Sequence, residues 1–116
     1  MSRSPLTVVH EYYRDVWSNH QLDRISELCA NPVIRHDPKG EQSLSHDQQR
    51  ERLLGYTDKQ LKMNIMLSHA DSTHATIVWT VTSRVSSYTL SGIEVLRVVD
   101  GRIAEVWNAT RELPWV

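Results

Sequence analysis

Two carboxylates in this sequence sit in apolar company. Asp37 closes the run Val33-Ile34-Arg35-His36-Asp37-Pro38-Lys39-Gly40, where Pro38 stops a short strand and leaves the acid at its end. Glu94 lies within Gly92-Ile93-Glu94-Val95-Leu96, one arm of a long apolar hairpin. Acids so placed point to a pocket rather than a surface, and the chemistry open to them is proton transfer. Strand alternation puts Arg35 and Asp37 on one face, and an ion pair between them would suit an anionic or strongly polar ligand. If the register slips by one at Pro38, His36 faces the interior instead and becomes the base suited to neutral pH. Each carboxylate also has a plain alternative. Asp37 fits a turn residue bonded to its own backbone, and Glu94 a cross-strand partner of Arg84 or Arg102.

Local signals define the elements that must hold these groups. Ser4-Pro5 reads as an N-cap followed by proline at the first helical position. Leu6, Val9, Tyr13, Val16 and Trp17 then recur at helical spacing, which places Tyr13 in the apolar stripe with a hydroxyl that needs a partner. A second, shorter stripe of Leu22, Ile25, Leu28 and Cys29 ends at Asn31-Pro32. Pro38-Lys39-Gly40 forms a turn, and Ser45 with Gln48 is a capping-box pair that starts a third helix running to about Tyr56, on the outside of the fold. From Lys62 the period becomes two, with Met63, Ile65, Leu67 and His69 on one face and Ile77, Trp79, Val81 and Val85 following the turn at 71–74. The last hairpin runs from Tyr88 to Val99 and from Arg102 to Thr110, joined by Asp100-Gly101, whose residues both tolerate positive φ. Helices first and a strand meander after them predict an α+β fold, with helices closing one face of a mostly antiparallel sheet and a pocket between the layers.

Composition narrows the function classes. A chain of 116 residues is expected to form one domain over 1–116. A formal net charge of −1 offers no broad field for nucleic acid or an anionic membrane, and no apolar run approaches the roughly 20 residues that span a bilayer. The lone Cys29 cannot form an internal disulfide, so a reducing cytoplasm is expected. The six histidines show no two-ligand helical spacing and no paired cysteines accompany them, so no metal site is expected.

The order of elements, the His36-Asp37-Pro38 segment and the hairpin from Ile93-Glu94-Val95 to Glu105-Val106-Trp107 resemble the NTF2-like superfamily, with the SnoaL-like polyketide cyclases and the ketosteroid isomerases nearest in pattern. The resemblance implies a cone-shaped α+β roll around a hydrophobic cavity, usually as a homodimer. The isomerases carry a Glu-Asp-Pro-x-Gly motif whose Asp moves the proton, and His36-Asp37-Pro38-Lys39-Gly40 matches it at Asp37. Their oxyanion tyrosine in the first helix falls on Tyr13 by an ungapped count back from Asp37. Their second oxyanion donor, an Asp in an Ile-Asp-Val strand, falls on Glu94 of Ile93-Glu94-Val95. There a deprotonated base faces an acid kept neutral by its apolar site.

These matches imply a cofactor-free isomerase or cyclase that abstracts a proton next to a carbonyl of a small hydrophobic molecule. Asp37 or His36 is its base, Tyr13 with Glu94 holds the enolate oxygen, and Arg35, Trp79, Trp107, Val9 and Leu96 are the ligand-contacting candidates. A non-catalytic binding or dimerisation domain is the alternative from another class. A third, water addition to an epoxide as in the limonene-epoxide-hydrolase branch of the fold, uses an Arg-x-Asp strand pair with a second acid, but on another strand than Arg35 and Asp37.

Overall fold

The computed structural model describes residues 3–113 and 115. Helix α1 spans Pro5–Glu11; the Ser4 hydroxyl accepts from the Thr7 backbone N–H at 3.3 Å, and Pro5 occupies the first turn. The chain runs on as one π-helical segment, Tyr12–Ser18. A 3₁₀ turn, Leu22–Arg24, leads into the single turn α2, Ile25–Leu28. This second helix is shorter than its apolar stripe implies. The backbone is already extended at Cys29, because Cys29 pairs with Ile103 of the last strand and that pairing overrides local propensity.

Strand β1 (Cys29–Asp37) turns through Pro38-Lys39 into β2 (Gly40–Leu44), a short edge strand that carries no apolar alternation in the sequence. Helix α3, His46–Leu54, begins with a complete capping box: Ser45 Oγ accepts from the Gln48 N–H at 3.2 Å, and the Gln48 side chain accepts from the Ser45 N–H at 2.9 Å. Four long strands follow: β3 (Leu61–Ala70), β4 (His74–Ser83), β5 (Thr89–Val99) and β6 (Arg102–Arg111). Val85, expected on a strand, lies in the β4–β5 loop and is exposed. Leu67 is exposed as well, because a bulge between Ile65 and Leu67 breaks the alternation.

The six strands form one open mixed sheet in the order β2-β1-β6-β5-β4-β3, antiparallel except where β1 runs parallel to β6. The β5–β6 turn has φ of 51° at Asp100 and 76° at Gly101, the left-handed pair that a tight hairpin demands. The helices cover one face. Val8, Val9, Tyr12, Tyr13 and Val16 from the first helical run meet Ile77, Val81, Leu96, Ile103 and Val106 from the sheet, with Ile25 and Leu28 of α2 filling the corner. Each such aliphatic side chain stabilises the fold by roughly 1.5–3 kcal/mol through burial. Among the described residues no helix covers the other face of the sheet, where Ile93 and Trp107 are exposed. Among the described residues no helix is long and apolar enough to cross a membrane.

Candidate functional site

A cavity of about 760 Å³ opens beside this core. Its apolar wall is built by Trp17, Tyr56, Met63, Trp79, Val81, Tyr88 and Leu90, and Asp37, Glu94 and Asn108 contribute polar groups. Both carboxylates picked out in the sequence therefore line one space. Asp37 reaches it from the end of β1, Glu94 from the middle of β5.

Glu94 is only 7% exposed and accepts a hydrogen bond on each oxygen. The Tyr13 hydroxyl donates to Oε2 at 2.5 Å, and Asn108 Nδ2 donates to Oε1 at 2.6 Å. Tyr13 sits in the π-helical segment, a rare departure from α geometry that is frequent at functional sites. It is buried behind Glu94 and off the cavity wall, so it touches the cavity through the carboxylate. Burial, reinforced by Glu94, pushes the Tyr13 hydroxyl well above its usual pKa and keeps it a donor.

Arg35 and Asp37 share a face and pair: Nη2 donates to Oδ1 at 3.1 Å and Nε to Oδ2 at 3.4 Å. Arg35 is 6% exposed. Its burial works against a charged guanidinium, but Glu94, Tyr12 and Asp37 together hold its pKa above the ordinary value. Arg35 thus serves the cavity from beneath, orienting Asp37 rather than forming wall.

His36 lies on the opposite face of β1. Its Nε2 is 2.6 Å from Glu105 Oε2 and its Nδ1 is 3.3 Å from Glu41 Oε1, with the ring stacked on Trp107 at 5.3 Å. The His36 bond, assisted by Arg97, holds the Glu105 carboxyl below its usual range. Trp107 is on that outer face too. Val9 and Leu96 are fully buried core residues between helix and sheet and do not line the cavity. Trp79 does line it. Its indole lies over Gly92, its partner across the β4–β5 ladder, and its own N–H is buried without a partner among the described residues. Of the candidates, then, Asp37, Glu94 and Trp79 meet at the cavity, Tyr13 and Arg35 stand behind them, and His36, Trp107, Val9 and Leu96 lie elsewhere.

Asn108 was invisible to sequence reasoning. The hairpin pairs Val99 with Arg102 and Val98 with Ile103, and a bulge between Arg97 and Val98 advances the register so that Glu94 faces Asn108. An unbulged hairpin would set Trp107 there. Among the described residues no group of three or more His, Cys, Asp or Glu is placed to hold a metal ion.

The fold matches several solved structures. A candidate ketosteroid isomerase from Kribbella flavida superposes with a TM-score of 0.78 at 18% identity, covering 95% of this chain and 79% of that one. A candidate polyketide cyclase from Acidithiobacillus ferrooxidans gives 0.80 at 19% identity, covering 95% and 89%. IdmH, a candidate polyketide cyclase from Streptomyces antibioticus, gives 0.77 at 14% identity, covering 93% and 92%. Among curated proteins none matches the chain in sequence. Residues 9–106 match the family model described as the SnoaL-like domain, and with helices packed on one face of an open six-stranded sheet the chain belongs to that family, within the NTF2-like superfamily.

Proposed function

We propose that this SnoaL-like domain takes an apolar molecule bearing a carbonyl group into the cavity and moves a proton at the carbon beside that carbonyl. The observation that carries this is the cavity itself: a space within the usual range for small-molecule sites, roughly 300–1,000 Å³, whose wall is mostly apolar and whose polar groups include two oriented carboxylates and an amide. Asp37 is the base. The two N–H groups of Arg35 fix its oxygens, so it meets the ligand in one orientation. Its oxygen takes the proton from carbon, the C–H electrons form a carbon–carbon double bond, and the carbonyl oxygen becomes an enolate oxygen. Asn108 spends one N–H on Glu94 and has a second for that oxygen. Glu94 and Tyr13 are the positioning residues that hold the amide. Asp37 returns the proton at another carbon, which is an isomerisation; attack of the enolate carbon on a second carbonyl would be a ring closure.

The test is turnover of a β,γ-unsaturated cyclic ketone by wild type and by Asp37→Asn, with the melting temperature of both. Loss of at least about 10²-fold in kcat/KM by a variant that stays folded supports Asp37 as base. Ketone binding without turnover in wild type would replace the enzyme by a non-catalytic binding domain, and absence of binding would remove the cavity as the ligand site. For the open sheet face, with Trp107 and Ile93 at its surface, we propose pairing with a second copy in the cytoplasm. Trp107→Arg should then shift the sedimentation coefficient toward the monomer, and an unchanged monomeric wild type would refute it.

A further inference from the structure

Three cations from three separate elements line the cavity: Lys39 in the β1–β2 turn, Arg52 on α3 and Arg111 at the end of β6. Among the described residues none of the three lies within ion-pair distance of a carboxylate. Of the carboxylates on the same wall, Asp37 is paired with Arg35, which leaves Glu94, hydrogen-bonded by the neutral Tyr13 and Asn108, and Glu112. The wall therefore carries more free positive than free negative charge, although the chain as a whole is slightly acidic.

Arg52 is the most telling of the three. It is half-buried, its guanidinium carbon lies over the Trp17 ring at 5.8 Å from the centroid, and it also borders a small void lined by Tyr12 and Arg35. A partly buried guanidinium without a counter-ion carries a desolvation cost that an anion in the cavity would offset.

We infer that the ligand is an amphipathic anion, an apolar body that packs against Trp79, Val81 and Leu90 and carries an ionised acid group that seats on Arg52, with Lys39 and Arg111 drawing it in. This rests on the cavity being the ligand site proposed above, and adds the charge of the molecule that enters. Arg is the side chain suited to the task, because its planar fork binds a carboxylate through two N–H groups.

The experiment is isothermal titration calorimetry of the full chain with 2-naphthylacetate and with 2-naphthylacetamide, a pair of equal apolar bulk that differs in charge. The acid should bind about tenfold more tightly than the amide, and the gap should narrow as sodium chloride is raised. Arg52→Gln should remove most of that gap while leaving the dissociation constant of the amide within about twofold of wild type. Equal or tighter binding of the amide by wild type overturns the inference and leaves the cavity intact as a ligand site. Equal weakening of both ligands by Arg52→Gln also overturns it, since Arg52 would then be packing on Trp17 only. If neither ligand binds, the cavity fails as a ligand site and the inference fails with it.

Discussion

Replacing Gly92 by alanine tests how the cavity wall is built. A Cβ at this position would lie 2.3, 2.6 and 2.7 Å from Cζ2, Cε2 and Cη2 of the Trp79 indole. Carbon atoms in contact rest at about 3.5 Å or more, so the ring must retreat by about 1.2 Å, away from the sheet and into the cavity. Trp79 is 3% exposed and stands among buried neighbours, which makes this an overpacking change of about 1–3 kcal/mol. In a domain of this size each kcal/mol lowers the melting temperature by roughly 3–6 °C. The affinity for an apolar ketone should fall in the same variant, because the displaced ring occupies ligand space. A thermal double-mutant cycle with Trp79→Leu isolates the contact: on the leucine background the alanine should cost little, giving a coupling of at least about 1 kcal/mol. A Gly92→Ala protein within about 0.5 kcal/mol of wild type, or additive single effects, would refute the account.

Three further outcomes follow from the buried polar groups. Tyr13→Phe leaves Glu94 Oε2 buried without its donor and should lower stability by about 1–3 kcal/mol in chemical denaturation, with no change in the overall secondary-structure signal. Asp15 is held at a pKa of about 2, first by its hydrogen bond from Arg14 and then by Arg24. Its folded pKa is depressed from 3.8, so its contribution is complete above about pH 4 and is lost as pH falls toward 2; the Tm deficit of Asp15→Asn should accordingly be largest near neutral pH and shrink over that acid window. Burial pushes the Cys29 thiol up to about 12, so a thiol reagent at pH 8 should label it only in denaturant; rapid labelling of the native protein would contradict its placement.

What the chain determines locally was legible from residue types. Ser4-Pro5 caps and starts α1, Ser45 and Gln48 exchange both capping-box hydrogen bonds, and Asp100-Gly101 adopts the two positive φ angles of a tight hairpin, because each signal needs only a few neighbouring residues to act. The alternation of Arg35 and Asp37 predicted their pairing for the same reason. Tertiary structure decided everything that depends on register. The bulge at Arg97 and Val98 set Asn108 opposite Glu94, and the bulge after Ile65 turned Leu67 outward, each by a one-residue shift that inverts the side chains beyond it. Pairing of Cys29 with Ile103 cut the second helix short, and the parallel seat of β1 beside β6 set Asp37 toward the cavity and His36 toward Trp107. The meeting of Lys39, Arg52 and Arg111 on one wall is of the same kind: no local rule links a turn, a helix and a strand end, and only the packing of helix on sheet brings their charges to one space.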